Sequence, residues 1–299
     1  MSALSRRRAL ALAASALTVA AGPLAGCGRS NAIAVGSKNF TEELILGRLY
    51  AQALAGRGLT IRTRLDLGGT EVAMEALVRG DIDLYPEYTG TALFAILKRT
   101  PSGDPARDLA TIRRLYRERW DLIWLEPAPL NDSQALATTQ ALAARDDLHT
   151  LSQLARAAPQ LRLGAIPEFT SRPDGLPGLQ RAYGGFHFKS VRLFDIGLKY
   201  QALLQGDVDV VVAFTTDGQI VADHLVVLDD DKNFWPQYHV APVVRAATLR
   251  RYPAVAPALD TLAPLLTTAT MRGLNQAVDG GGRDPAAVAA AFLAAHRFT

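Results

Sequence analysis

The feature of this 299-residue sequence that most constrains its fold is a unit that occurs twice. Residues 80–91 contain a glycine turn, a short apolar run and a loop with tyrosines and threonines. Residues 206–218 repeat that order, with Phe214 at the position of Tyr88. Solenoid repeats are far shorter than the spacing between these copies, so the repeat predicts two examples of one architectural unit. Two such units predict a cleft that is lined by equivalent loops.

The repeat extends upstream through two more strand-like stretches. Residues 33–36 correspond to residues 161–164, and a Phe-Thr pair follows each of them; residues 61–68 correspond to residues 190–197. Strand and helix patterns alternate in both copies, which is typical of a parallel sheet covered by helices. We therefore predict an α/β fold.

The ends of these strands are where a site is expected. In open parallel sheets, ligands bind beyond the carboxyl ends of the strands. Lys38, residues 68–70 and residues 88–91 all follow predicted strands, so the sequence predicts that they lie near a common ligand.

The charge of the chain does not indicate a nucleic-acid partner. The formal net charge is +3, but Arg6, Arg7 and Arg8 account for all of it, because the remaining basic and acidic residues number 29 each. No basic run with interleaved aromatic residues is present, which excludes the usual footprint of a nucleic-acid-binding protein. The hydrophobic content of 49% is typical of a globular protein with a full core.

The N-terminal residues have the pattern of an export signal. Arg6–Arg8 form a basic segment, and residues 9–21 are apolar but too short to span a bilayer as a helix. The stretch that ends in Cys27 resembles the lipobox of bacterial lipoproteins, and Cys27 is the only cysteine. We therefore predict a lipoprotein signal peptide at residues 1–26, lipidation of Cys27, and a folded part held at a membrane surface by its lipid.

No catalytic motif stands out in the sequence. The five histidines are scattered, and neither a nucleophile elbow nor a phosphate-binding loop is present. The pairs Asp81/Asp83 and Asp207/Asp209 could be read as metal-binding acids, but each pair follows a glycine turn, so the first acid is expected to be solvated or bonded to the turn. We predict no catalytic residue, no metal and no cofactor.

Six motifs give the sequence a family resemblance. It resembles the substrate-binding proteins of glycine betaine/choline/carnitine (osmoprotectant) ABC transporters. The motifs that carry the resemblance cover nearly the whole mature chain and lie at residues 36–42, 67–70, 83–91, 172–179, 215–218 and 271–279.

The resemblance implies a particular two-lobed fold. It is the type II periplasmic-binding-protein fold, in which each lobe is a mostly parallel sheet flanked by helices and two crossover segments join the lobes. We expect lobe one to comprise residues 27–130 and 241–299, and lobe two to comprise residues 131–240.

The resemblance also implies roles for individual residues. Tyr88, Phe214 and Tyr238 match positions of an aromatic cage, whose ring faces attract a quaternary ammonium group. Positions that hold a carboxylate are matched by three polar residues, which are Lys38, Thr91 and Arg172. Because these residues come from both expected lobes, a bound solute favours closure of the lobes around it.

Two further residues are predicted to contact the solute. Gln134 stands where the family usually has an aromatic cage residue, and its amide could bond a polar ligand instead. Glu71, beside the Gly68–Gly69 turn, could attract a cation or a hydroxyl group; its alternative role is that of an acid in the first turn of a helix.

These expectations describe an exported solute-binding protein rather than an enzyme. It would capture a small quaternary-ammonium or betaine-type osmoprotectant and pass it to an ABC permease with its ATPase, acting as a monomer. Three alternatives remain open from the sequence: a receptor for another small zwitterion or amino acid, a ligand-sensing adaptor, and an enzyme that uses the Asp-x-Asp pairs.

Overall fold

The strands follow the repeated apolar runs, except that the strand after the first glycine turn spans Leu84–Tyr88 and so includes tyrosines that the sequence predicts to lie in a loop. A computed structural model describes residues 31–298, so the predicted signal peptide and Cys27 lie outside the described residues. The strands are β1 (Ile33–Gly36), β2 (Ile61–Arg64), β3 (Leu84–Tyr88), β4 (Leu122–Trp124), β5 (Gln134–Thr138), β6 (Arg162–Ala165), β7 (Ser190–Leu193), β8 (Val210–Phe214), β9 (Val226–Val227) and β10 (Val240–Arg245).

Helices connect these strands. They are α1 (Thr41–Gly56), α2 (Thr70–Arg79), α3 (Thr89–Thr91), α4 (Pro105–Trp120), α5 (Gln140–Asp146), α6 (Leu151–Ala157), α7 (Pro167–Ser171), α8 (Leu176–Tyr183), α9 (Lys199–Leu204), α10 (Gly218–Ala222), α11 (Ala246–Arg251), α12 (Val255–Leu262), α13 (Thr268–Asp279) and α14 (Pro285–Ala295). A π-helical segment, Ala92–Leu97, follows α3, and short 3₁₀ turns, Ala158–Gln160 and Ala263–Leu265, follow α6 and α12.

Within residues 31–298 the strands form two five-stranded sheets with the same topology. The first has the order β2-β1-β3-β10-β4 and the second the order β7-β6-β8-β5-β9. In each sheet the first three strands are parallel and the fourth runs antiparallel to its neighbours. Four strands of each sheet therefore run in the same direction, and only the strand at a chain crossing, β10 or β5, inserts in the opposite direction, which agrees with the predicted mostly parallel sheets.

The repeated aspartates perform the same structural task in both sheets. Asp83 Oδ2 accepts a hydrogen bond from the Ala34 amide of β1 at 2.8 Å, and Asp209 Oδ2 accepts one from the Arg162 amide of β6 at 2.7 Å. The first acid of each pair is exposed. The second acid of each pair thus joins neighbouring strands, which gives the repeated aspartate a structural role in both halves.

Local signals explain where several helices begin and end. Helix α2 ends at Gly80, whose φ of 82° lies in the left-handed region that glycine adopts without strain. The Asp104 side chain caps α4 by accepting from the amides of Ala106 and Arg107, and Pro105 occupies the first helical position.

Helix α13 contacts both halves of the chain. It packs against α1 of the first half and against α10 of the second. Gly218 at the start of α10 permits this approach, because a Cβ atom there would lie 2.7 Å from the Gln276 backbone. The Asn275 amide group then donates to Glu42 of α1 and to the Thr216 carbonyl of the second half.

Candidate functional site

A cavity of about 180 Å³ lies at the carboxyl ends of the strands, between the two sheets. Its walls come from both sheets, as the duplicated strand ends predict. The predicted site residues that line it are Lys38, Tyr88, Thr91, Gln134, Arg172, Phe214 and Tyr238. The geometry therefore brings together residues that are up to 200 positions apart in the sequence.

Glu71 does not line this cavity, which corrects the contact that the sequence suggested. Its side chain is 80% exposed and its Oε1 lies 3.7 Å from Lys98 Nζ. Glu71 is the second residue of α2, and the rotation of that helix turns its neighbour Thr70, rather than Glu71, toward the cavity. The alternative role, that of an exposed acid in the first helical turn, fits its position.

Aromatic rings form the floor of the cavity. The Phe40 ring lies between those of Tyr88 and Phe214, with centroids 6.4 Å away in each case and interplanar angles of 27° and 7°. Phe40 was not among the residues predicted from the sequence. Its signal was available, because it lies two residues after Lys38, beyond the end of β1, in a motif of the family resemblance.

The Tyr238 ring enters the cavity from the second crossing between the sheets. It lies against Gly90, where a Cβ atom would come within 2.5 Å of ring atom Cε1. Any residue other than glycine at position 90 would therefore displace the ring. The Tyr238 hydroxyl donates to Asp174 Oδ2 at 2.7 Å, which anchors the hydroxyl end of the ring.

Lys38 is almost fully buried and is held by acids of its own half. Its Nζ donates to Glu87 Oε1 at 2.7 Å and lies 3.8 Å from Glu43 Oε1. The same ammonium group lies 4.8 Å from the centroid of the Tyr88 ring. The rings of the cavity thus already border one cation, and their faces present the negative side of the ring quadrupole.

Buried acids lie in the wall of the cavity or behind the side chains that line it. Burial raises the pKa of Glu43 to about 8, which outweighs the opposing effect of the Lys38 ammonium. Burial also raises the pKa of Glu42, and it raises that of Asp132 well above the usual range, with a further contribution from the charge of Glu42. Glu43 is therefore mostly protonated at neutral pH, which leaves Lys38 one close carboxylate, that of Glu87.

Arg172 forms a buried ion pair with Asp174. Its Nε donates to Asp174 Oδ1 at 2.8 Å, and its terminal nitrogen donates to Oδ2 of the same carboxylate. Burial opposes the charge of Arg172, but the Asp174 carboxylate outweighs it and raises the pKa of the guanidinium. The Arg172 side chain remains 18% exposed, so the cavity still has access to this cation.

Gln134 and Phe214 are neighbours across strands β5 and β8. The two residues are directly opposite in the antiparallel register, and both line the cavity. The equivalent pair in the first sheet is Val240 and Tyr88. The two strand ends are thus built alike, but only the second one places an amide beside its ring.

Within residues 31–298, every helix is too short or too polar to span a bilayer. The same residues contain no group of three or more histidine, cysteine or acidic side chains that could hold a metal ion.

Comparison with known proteins gives a consistent result. A family model described as the substrate-binding domain of ABC-type glycine betaine transport systems matches residues 31–295. The glycine-betaine-binding protein of Pseudomonas aeruginosa is 35% identical over 91% of this chain and 90% of its own length. The ergothioneine transport permease/binding protein EgtU of Helicobacter pylori is 34% identical over 87% of this chain, which spans 47% of that protein.

The solved structures agree with the sequence matches. A crystal structure of a glycine betaine/carnitine/choline ABC transporter protein has a TM-score of 0.73 and 30% sequence identity, covering 89% of this chain and 99% of its own. This match confirms the two-lobed periplasmic-binding-protein fold. The chain belongs to the family of substrate-binding domains of ABC-type glycine betaine transport systems.

Proposed function

We propose that the cavity binds a small methylated-ammonium solute of the betaine type, which the protein presents to an ABC permease and its ATPase. The observation that carries this proposal is the convergence of four rings from both halves of the chain, those of Phe40, Tyr88, Phe214 and Tyr238, on one cavity. Membership of the glycine betaine transport family supports the same solute class.

The rings suit a methylated ammonium group for an electrostatic reason. Such a group carries a charge but few or no hydrogen-bond donors, so polar side chains bind it poorly. An aromatic face attracts the cation without needing a donor, and each contact contributes on the order of 0.5–2 kcal/mol. The Lys38 ammonium beside the Tyr88 ring supports the idea that these faces accept positive charge.

The carboxylate of a betaine would lie toward Lys38 and Arg172. Arginine offers a planar fork of donors that matches a carboxylate, and Thr91 supplies a hydroxyl on the same cavity wall. Lys38 belongs to the first sheet's half and Arg172 to the second's. A solute that contacts both would favour closure of the halves around it.

The protein would carry out no chemical step of its own. Asp83 and Asp209, the acids on which an enzymatic alternative depends, bond backbone amides of adjacent strands instead of facing the cavity.

Export and lipidation at Cys27 are part of the proposal, and they rest on the sequence pattern of residues 1–27. Replacement of Cys27 by serine should release the protein from the membrane fraction.

Isothermal titration calorimetry of the purified chain tests the solute class. The panel contains glycine betaine, choline, carnitine and ergothioneine, with glycine and proline as amino acids that lack the methylated ammonium group. We expect saturable heats only for the methylated solutes. Binding of the plain amino acids alone would overturn the proposal and favour a general zwitterion receptor.

A further inference from the structure

The Asp174 carboxylate is the common acceptor of three side chains that line the cavity. Its Oδ2 accepts hydrogen bonds from the Tyr238 hydroxyl and from Gln134 Nε2, both at 2.7 Å, and it also pairs with Arg172. Asp174 has no exposed surface. A buried carboxylate with this many donors holds all of them in fixed positions, because releasing any one would leave acceptor capacity unfilled.

This carboxylate fixes which way the Gln134 amide points. Gln134 Nε2 faces acceptors only: Asp174 Oδ2 at 2.7 Å, the Asp174 carbonyl at 3.2 Å and the Tyr238 hydroxyl oxygen at 3.3 Å. The Tyr238 hydroxyl donates its own hydrogen to Asp174, so toward Gln134 it accepts. A flipped amide would bring its oxygen against the carboxylate and the carbonyl, which disfavours that orientation.

The oxygen of this amide is left without a donor. Gln134 Oε1 accepts no hydrogen bond from any residue in the range 31–298, although Gln134 is only 8% exposed and lines the cavity. The side chain stands beside Phe214, its partner across the sheet, and beside Tyr238. The cavity therefore contains an acceptor among the rings that would hold an ammonium group.

A fully methylated ammonium group has no N–H or O–H to donate to that acceptor and offers it only weak C–H···O contacts. Enclosing the Gln134 oxygen under methyl groups would remove it from water without giving it a hydrogen bond, which is unfavourable. We infer that the preferred solute carries a hydrogen-bond donor, an O–H or an N–H, on or next to its methylated ammonium group, and that Gln134 Oε1 accepts from it. This inference rests on the proposed function and narrows its solute class.

The donor can come from two kinds of solute. One is a hydroxylated trimethylammonium compound, whose O–H lies one or two carbons from the nitrogen. The other is a partly methylated amine, whose protonated nitrogen has its own N–H and would form a charge-assisted bond with the amide oxygen. Both kinds of solute need an acceptor beside the rings. One matched pair of solutes for each kind of donor can therefore show which of the two the site prefers.

Two solute pairs test the inference by calorimetry with the full chain. L-Carnitine and γ-butyrobetaine differ only by one hydroxyl group, and N,N-dimethylglycine and glycine betaine differ by one N–H in place of a methyl group. We expect the donor-bearing member of at least one pair to bind about tenfold more tightly, because its partner leaves a buried acceptor unpaired.

Variants of Gln134 show whether the amide causes the preference. Gln134→Leu removes the acceptor and should reduce the preference within each pair to less than about twofold, with a gain for the donor-free member. Gln134→Met, which keeps the length of the side chain, gives the same test if the leucine variant folds poorly. Gln140→Leu replaces an exposed glutamine of α5 outside the cavity and should leave every affinity unchanged.

The outcomes separate this inference from the proposed function. A donor preference that disappears in the Gln134 variants supports it. Tight binding of glycine betaine and γ-butyrobetaine, with no advantage for their donor-bearing partners, would overturn it while leaving the proposed function intact. Failure of these four solutes to bind, together with failure of choline and ergothioneine, would overturn both.

Discussion

The two halves of the chain use the same backbone at their strand ends but surround it with different polar side chains. In the first half, Lys38 Nζ lies 4.8 Å from the Tyr88 ring; in the second, Lys199 Nζ lies 5.3 Å from the Phe214 ring. Both lysines are almost fully buried. A buried lysine beside the strand-end ring is therefore common to both copies of the unit.

The halves differ in what these lysines face. Lys38 lines the cavity, whereas Lys199 lies behind Phe214, pairs with Asp217 at 3.3 Å and does not line it. In the second half the cavity's cation is Arg172, whose partner is Asp174. The comparison teaches that the two halves share the strand order and the strand-end rings but differ in the charged groups that they present to the cavity.

The largest effect should follow removal of the second half's cation. Arg172→Ala takes away a carboxylate donor and leaves Asp174 buried without its cation, so we expect betaine affinity to fall about a hundredfold or more. Calorimetry with glycine betaine measures it. Arg181→Ala, an exposed arginine of α8 outside the cavity, is the matched control. Unchanged affinity in Arg172→Ala would show that the solute's carboxylate is not bound jointly by Lys38 of the first half and Arg172 of the second.

The pH dependence of the free energy of unfolding should report the titration of one buried acid of the first half, Glu43. The pKa of Glu43 is about 8 in the folded chain, against an ordinary value of 4.5, so between these values the folded state holds a proton that the unfolded state has lost. The free energy of unfolding should therefore fall as the pH rises through this window. The slope for one such group is about 1.4 kcal/mol per pH unit.

Glu43→Gln removes this titration because glutamine resembles the protonated acid. Urea denaturation at pH 5.5, 7 and 8.5 should show a smaller fall in the free energy of unfolding than in the unmodified chain. Glu75→Gln, which changes an exposed glutamate of α2, should leave the slope as it is. Equal slopes for both variants would mean that Glu43 is ionised when folded.

The rings of the two halves can be compared directly. Phe214→Leu should weaken methylated-ammonium binding by about tenfold, the effect of one cation–π contact.

Tyr88→Leu should lower the free energy of unfolding as well as the affinity, because the Tyr88 hydroxyl donates to the buried Glu42 at 2.8 Å. Tyr88→Phe makes the first half resemble the second; it should keep the affinity and lower the melting temperature. An affinity loss in Tyr88→Phe would assign the hydroxyl to the solute.

The smallest effect should come from Glu71. Its pair with Lys98 is exposed, and exposed pairs contribute little. Glu71→Gln should change solute affinity by less than about twofold in calorimetry at low salt. A larger loss would mean that α2 turns toward the cavity when the solute binds.

The sequence predicts the order of strands and helices in this molecule better than it predicts the polar contacts between side chains. Strand alternation, glycine turns and the internal repeat are local signals, and they predict both strand ends and the order of elements around them. The assignment of the rings of Tyr88, Phe214 and Tyr238 to a ligand site came instead from the family resemblance. The sequence does not show that Thr70, rather than Glu71, lines the cavity, because neighbouring helical residues differ by about 100° around the helix axis and turn motifs do not specify that rotation.

Long-range pairing is what the sequence does not show. Asp174 binds Gln134 from 40 residues away and Tyr238 from 64 residues away, and only the folded chain brings the three together. The position of the Phe40 ring beside the cavity is a long-range feature of the same kind. The ring stacks on Tyr88 of the first half and on Phe214 of the second, so its role depends on both halves being folded.

The most direct test of the account is a crystal structure of the protein with glycine betaine or the donor-bearing analogue that binds most tightly. We predict the ammonium nitrogen within about 6 Å of ring centroids from both halves, with Tyr88 and Phe214 among them, and the carboxylate toward Lys38 and Arg172. A solute bound outside this cavity, or one whose nitrogen contacts rings of a single half, would contradict it.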